Sequence, residues 1–215
     1  MTATRTLYLV RHGHRLDEVD KKWYEKEGSN KYDPPLSDEG KEQAQKLAQR
    51  LKQEPIDWIF SSPYWRALQT AHPIAEALDM PLYVENGIGE WLGKAMIPVE
   101  PDILPAFQRR EEFPMMEFSH NPRVIPHYPE TTAQCFERLE SAITQLLESY
   151  EGNLLIVGHG RTVTGIAHRL VGKPESSFKL KNAGITKLDF EDGKWVVRLN
   201  SDITHLTSET MPQFV

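Results

Sequence analysis

Two short apolar runs in this 215-residue chain each end in a histidine flanked by glycine. Residues 6–10 lead into Arg11-His12-Gly13, and residues 153–157 lead into Gly158-His159-Gly160. A neutral imidazole can attack an electrophile through one nitrogen while a hydrogen bond at the other fixes its tautomer. Arginine forks match phosphate oxygens in shape and charge, and Arg11, Arg15 and Arg66 are candidates for that role. Glu90 follows a third apolar run and a turn, which can bring a carboxyl group to the same edge. Two histidines, three arginines and one glutamate that met at one rim would make an anion site, since guanidinium forks match phosphate oxygens.

These residues act together only if the chain brings them to one rim. Residues 57–60 and 81–84 read as further strands, the first ending just before Ser62-Pro63-Tyr64-Trp65-Arg66. Helical spacing follows Ser37, which reads as an N-cap, with Ala44, Leu47, Ala48 and Leu51 on one face. A second helix carries Ala67, Ala71, Ile74, Ala75 and Leu78 inward, with a kink or restart expected at Pro73. A third carries Phe136, Leu139, Ile143 and Leu146, and a fourth runs from about residue 162 to 171. Strands near 185–190 and 195–200 flank Asp192-Gly193, a hairpin signal. Alternating strands and helices predict a three-layer α/β/α sandwich with a mostly parallel sheet and an antiparallel hairpin at its edge. Ligands in such sheets bind beyond the carboxyl ends of the strands at a topological switch point, where both histidines would lie. Glycine beside each histidine reads as room for a ligand to approach the backbone.

Residues 91–131 differ from the rest, with seven of the fifteen prolines and several aromatic residues. They read as a cap or lid inserted in a single domain spanning residues 1–215. Trp91, Phe113, Tyr128, Arg109 and Arg110 are candidates for its pocket side, and His14 is a further candidate for the substrate pocket. The remaining histidines, at 72, 120, 127, 168 and 205, read as structural or exposed.

Composition narrows the function classes. The net charge is −6, which argues against a general nucleic-acid binder. A single cysteine, Cys135, rules out an internal disulfide and a thiolate-rich metal site, and reads as a small packing residue. His12 and His14 lack a matching ligand set, so no metal and no cofactor is expected. The start of the chain lacks signal-peptide features, and no apolar run approaches membrane-spanning length. A cytoplasmic enzyme with no membrane partner is the expectation.

The motifs Arg11-His12-Gly13, Ser62 through Ala71, Glu90 and Gly158-His159-Gly160 stand in the order found in the histidine phosphatase superfamily, which the chain resembles. That resemblance implies a phosphoglycerate mutase-like fold. It also implies that His12 attacks phosphorus, that Arg11, Arg15 and Arg66 hold the phosphoryl oxygens, and that His159 assists as charge develops. Glu90 would protonate the leaving oxygen and then activate water.

Within the superfamily, residues 11–17, 32–38 and 87–91 resemble a phosphatase subgroup. It comprises the suppressor of T-cell receptor signalling phosphatase domains and the ecdysteroid-phosphate phosphatases. Arg15-Leu16-Asp17 stands where the mutases usually carry Ser and Trp-Asn. The chain has no room for the ubiquitin-binding and SH3 domains of the animal signalling proteins. The resemblance implies a metal-independent phosphomonoester hydrolase acting on a small-molecule or peptide phosphomonoester, with a homodimer as a family-level expectation. A phosphoglycerate mutase-type phosphotransferase and a catalytically silent phospho-ligand binding module are the alternatives. The intact set His12, Glu90 and His159 speaks against the silent module.

Overall fold

A computed structural model describes residues 5–25 and 30–207. Residues 1–4, 26–29 and 208–215 lie outside the described residues. The strands are β1 (Arg5–Arg11), β2 (Trp58–Ser61), β3 (Leu82–Val84), β4 (Leu154–Gly158), β5 (Ile185–Glu191) and β6 (Lys194–Asp202). The helices are α1 (Leu16–Val19), α2 (Asp38–Leu51), α3 (Trp65–Leu78), α4 (Thr132–Ser149), α5 (Gly160–Val171) and α6 (Thr204–Thr207).

One sheet has the order β3-β2-β4-β1-β5-β6. The four strands from β3 to β1 run parallel, and β5 and β6 close one edge antiparallel. Each face of the sheet is covered, which explains the near-continuous apolar strands. Tyr8 and Val10 of β1 face a layer built with Leu47 and Leu51 of α2 and Leu68 and Ile74 of α3. Leu7 and Leu9 point the other way, toward Leu139 and Ile143 of α4 and Ile166 of α5. The expected three-layer sandwich is therefore present.

Local chemistry fixes the elements. Ser37 caps α2 by accepting from the Gly40 amide, as its type and position foretold. Thr131 and Gln134 form a reciprocal capping box at the start of α4, worth about 1 kcal/mol. Asp192 and Gly193 both take positive φ, 49° and 79°, as a tight hairpin turn between twisted strands requires. The kink or restart expected at Pro73 did not materialise as a break: α3 is one helix from Trp65 to Leu78 with Pro73 inside it. Ala71, Ile74 and Ala75 flank that point in the core, so packing offsets the missing amide donor.

The 91–131 segment contains one 3₁₀ turn, Ala106–Arg109. It reaches the sheet edge at Met116, which bridges Leu82 in parallel. Glu85, fully buried, accepts hydrogen bonds from the Arg123 amide (2.7 Å) and from His120 Nε2 (2.9 Å), fastening the segment to the end of β3. Phe113 and Met116 are buried in the main core.

Candidate active site

Strand register builds the site. Arg11 at the end of β1 stands beside Gly158 at the end of β4, and the His12 amide donates to the Gly158 carbonyl at 2.9 Å. On the other side of β4, Ser61 pairs with Val157, and the Ser62 amide donates to the Val157 carbonyl at 2.9 Å. Three neighbouring parallel strands therefore deliver His12, His159 and Ser62 to one rim, with β4 in the middle at the switch point.

His12 is buried, and its Nδ1 lies 2.8 Å from the Gly13 carbonyl. A carbonyl only accepts, so Nδ1 carries the proton and Nε2 of the neutral ring keeps its lone pair. Burial first, then the charge of Arg66 and the neighbouring His159, hold the His12 pKa well below its ordinary value. The ring is thus neutral at neutral pH.

His159, fully buried, packs edge-on against His12 with ring centroids 5.3 Å apart. Its Nδ1 is 3.2 Å from Glu90 Oε2, and its Nε2 is 2.8 Å from Ser62 Oγ. An ionised carboxylate can only accept, so Nδ1 bears the hydrogen and Ser62 donates to Nε2. The Nδ1–H is in ion-pair range of Glu90 but poorly aligned, and it has no hydrogen-bond partner. Burial pushes the His159 pKa down to about 4, against the opposing pull of Glu90.

Arg66, in the first turn of α3, is almost wholly buried and donates from Nη2 to Glu90 Oε2 at 3.1 Å. Its Nε and Nη1 have no hydrogen-bond partner, and neither does Arg11 Nε. Buried donors of this kind are costly unless an acceptor is supplied, and they point to an anion. Burial alone would raise the Glu90 pKa, but His159 and Arg66 outweigh it and hold the carboxyl well below its usual range. The groups that act most strongly on Glu90 are His159, Arg66 and His12, none of them anionic.

Arg15 sits at the rim but turns its guanidinium to Asp17 (2.9 Å) and Glu18 (3.3 Å). His14 is tied to Ser37 Oγ at 2.9 Å, to Glu18 at 3.0 Å and, through its amide, to Gln43. It thus locks the start of α2. Trp91 lies under the Arg161 guanidinium at 4.7 Å. A cavity of about 430 Å³ opens between the 86–92 loop and the 100–126 stretch, with Tyr64, Glu90 and Leu92 in its wall. Neither His14 nor Trp91 is among the residues that line it. Of the other aromatic candidates, Phe113 packs beside His72 and the Tyr128 hydroxyl donates to the Ile97 carbonyl, while Phe107 and Phe118 face the cavity.

Packing gives Gly13 a reason to be small. A Cβ there would lie 2.7 Å from the Gly40 carbonyl, so the pair Gly13 and Gly40 lets α2 pack directly on the histidine loop. The Gly13 amide also donates to Thr70 Oγ1 of α3 at 3.1 Å.

Two supports escaped the sequence reading. Asp33, buried, accepts from the Trp65 amide at 2.7 Å and from Arg109 at 3.0 Å, and lies 3.8 Å from Arg66. Arg138 of α4 donates to the carbonyls of Gly87 (2.8 Å) and Glu90 (3.2 Å), and pairs with Glu130 at 2.9 Å through Nε. The loop bearing Glu90 is therefore clamped from behind. His12, Glu90 and His159 each offer a ligand atom within 4.8 Å of the others, but Arg11 and Arg66 face the same space and oppose a cation.

The chain is similar to known proteins along nearly its whole length. The model of the histidine phosphatase superfamily, branch 1, matches residues 7–203. The probable phosphoglycerate mutase GpmB of Escherichia fergusonii is 27% identical over 216 residues, covering 96% of this chain and 97% of that protein. The transcription factor tau 55 kDa subunit of Saccharomyces cerevisiae is 26% identical over 254 residues; the match covers 96% of this chain but only 57% of the yeast protein. The crystal structure of the ecdysone phosphate phosphatase of Bombyx mori, solved with tungstate, superimposes with a TM-score of 0.76 over 98% of both chains at 19% identity, a likeness of fold. With the family pattern spanning nearly the whole chain, the protein belongs to the histidine phosphatase superfamily, branch 1.

Proposed function

We propose that this protein is a metal-independent phosphomonoester hydrolase that works through a phosphohistidine on His12. One observation carries the proposal. His12 is buried and neutral, its Nδ1 tied to the Gly13 carbonyl and its Nε2 unprotonated, beside buried guanidinium donors of Arg11 and Arg66 that lack partners.

In the first step His12 Nε2 bonds to phosphorus and the bond to the alcohol oxygen breaks. Arg11 and Arg66 hold the equatorial oxygens, and the His159 Nδ1–H serves a further one as charge develops. Arg15 joins them by releasing Asp17 and Glu18. Glu90 gives its proton to the leaving oxygen. In the second step Glu90 takes a proton from water, the water oxygen bonds to phosphorus, and the phosphorus–nitrogen bond breaks. The sum is ester plus water to alcohol plus phosphate.

Glu90 is ionised in the free site, so it must gain its proton when substrate binds. A phosphate monoester has a second pKa of about 6 and can arrive carrying that proton. Its negative charge offsets Arg66 and raises the affinity of Glu90 for the proton.

The 91–131 segment serves as a cap over the leaving-group side, within a single catalytic domain. Residues 11–17, 32–38 and 87–91 support membership of the phosphatase subgroup that includes the ecdysteroid-phosphate phosphatases. Likeness to the probable mutase supports the second reading, phosphate transfer within a phosphorylated acid. Phosphate release from a generic aryl phosphate, with His12→Ala as blank, tests the hydrolase. Incubation with 3-phosphoglycerate separates the two: inorganic phosphate is expected, and an isomerised product without it would favour the mutase.

A further inference from the structure

The cavity beside Glu90 has a lining that selects a chemical class of leaving group. Glu90 faces His159 and Arg66 on one side and borders this cavity, with Gly89 and Tyr64, on the other, so the cavity is the adjoining space for an alcohol whose oxygen Glu90 protonates. That space is about 430 Å³, the scale of a pocket that accepts a drug-sized group rather than a three-carbon acid. Ile103, Leu104, Phe107, Phe118 and Pro126 form much of its wall. Leu104, Phe107 and Phe118 remain substantially exposed, 41%, 64% and 40%, and Phe107 belongs to the 3₁₀ turn anchored by Arg109 on Asp33. Apolar surface held open in a cavity favours an apolar occupant.

The charged groups on the wall point the same way. Beyond Glu90 they are Glu100 and Glu117, and among the described lining residues there is no lysine or arginine. Both nitrogens of His120, also on the wall, are engaged with Glu85 and Tyr150. Arg110 lies over the Phe118 ring at 5.6 Å but is not part of the lining. A carboxylate or second phosphate on the substrate would face two glutamates, whereas an uncharged alcohol meets no such repulsion.

Building on the proposed hydrolase reading, we infer that this protein acts on phosphate monoesters of bulky, uncharged, largely apolar alcohols and discriminates against substrates carrying a second anionic group. The leaving group fills the cavity against Leu104 and Phe107, and Glu100 and Glu117 exclude small phosphorylated acids.

The test compares three secondary-alcohol monoesters, so that leaving-group chemistry is matched: menthyl phosphate, glycerol 2-phosphate and 2-phosphoglycerate. Expected is a kcat/KM for menthyl phosphate about tenfold or more above glycerol 2-phosphate, with 2-phosphoglycerate lowest. Leu104→Asp lowers the menthyl-to-glycerol ratio by about tenfold. Glu117→Lys raises the 2-phosphoglycerate-to-glycerol ratio by about threefold or more. Equal or reversed preference, or ratios that neither variant moves, overturns the inference while leaving the hydrolase intact. Absence of His12-dependent phosphate release from all three esters and from an aryl phosphate overturns the hydrolase reading itself.

Discussion

Arg66 Nη2 lies 3.1 Å from Glu90 Oε2, joining the start of α3 to the loop after β3. With His159, the contact keeps Glu90 ionised in the free site, its carboxylate held between the two. The same carboxyl group is proposed to protonate the leaving oxygen, and that proposal has a kinetic signature. Glu90→Gln should lower kcat for an alkyl phosphate by about 10²- to 10⁴-fold. An aryl phosphate, whose leaving group departs without a proton, should lose much less. Equal losses on both would remove Glu90 from the acid role and leave it a positioning residue.

The His12 pKa sets a pH profile. Burial and the charge of Arg66 depress it, so the nucleophile stays unprotonated as the pH falls through 6.5. The acid limb of kcat/KM should therefore lie below that value. Arg66→Met removes one of the depressing charges, so the limb should move to higher pH, whereas Arg66→Lys should keep it in place. An unmoved limb in Arg66→Met would show that another group controls it.

Stability should follow the same histidines. The folded pKa values of His12 and His159 lie below the unfolded value, His159 at about 4. Below pH 6.5 the unfolded chain binds more protons than the folded one, so stability falls with pH. For His159 the loss accumulates between about 6.5 and about 4. Denaturant midpoints measured from pH 7.5 to 4.5 should fall, and His159→Gln should flatten the slope. A slope unchanged by that substitution would assign the acid sensitivity elsewhere.

Asp33 is held by two buried guanidinium groups, from α3 and from the 3₁₀ turn at residues 106–109. Its removal leaves Arg66 with Glu90 alone, Arg109 with only the exposed Glu112, and the Trp65 amide without its acceptor, at a cost of about 3–5 kcal/mol. For a chain of this size that corresponds to a fall in Tm on the order of 6–20 °C. Asp33→Ala should also raise KM for the ester, because Arg66 and the cap lose their shared anchor. Calorimetry and steady-state kinetics on one preparation check both, and a Tm within a degree or two of the wild type would contradict this account of the pair.

The parts of the site that sequence made legible are those where residue type and local position coincide. His12 and His159 follow apolar strands and stand beside glycine, and Arg66 opens a helix directly after a strand. Those are local signals, and parallel pairing of β1 with β4 turns them into one rim. Supports that depend on distant partners were not legible. Asp33 sits in a polar, proline-rich stretch, and its partners Trp65, Arg66 and Arg109 come from two other regions. Arg138 left a trace: it falls on the buried stripe of α4 with Cys135, Leu139 and Ala142, where a charge needs a reason. That reason, the Gly87 and Glu90 carbonyls, emerges only when the 86–92 loop folds onto α4. The Gly13–Gly40 contact is hidden for the same cause, because close packing between loop and helix has no pattern along the chain.

The central claim is a covalent bond from His12 Nε2 to phosphorus, and trapping the phosphoenzyme tests it most directly. The protein is mixed with excess aryl phosphate, quenched in alkali where phosphohistidine survives, digested, and examined by mass spectrometry. The prediction is one added phosphoryl group on the peptide containing His12, formed within the first turnover and absent from His12→Ala, which also releases no phosphate. Turnover by His12→Ala, or a phosphoryl group trapped on another residue of the wild type, would contradict the mechanism.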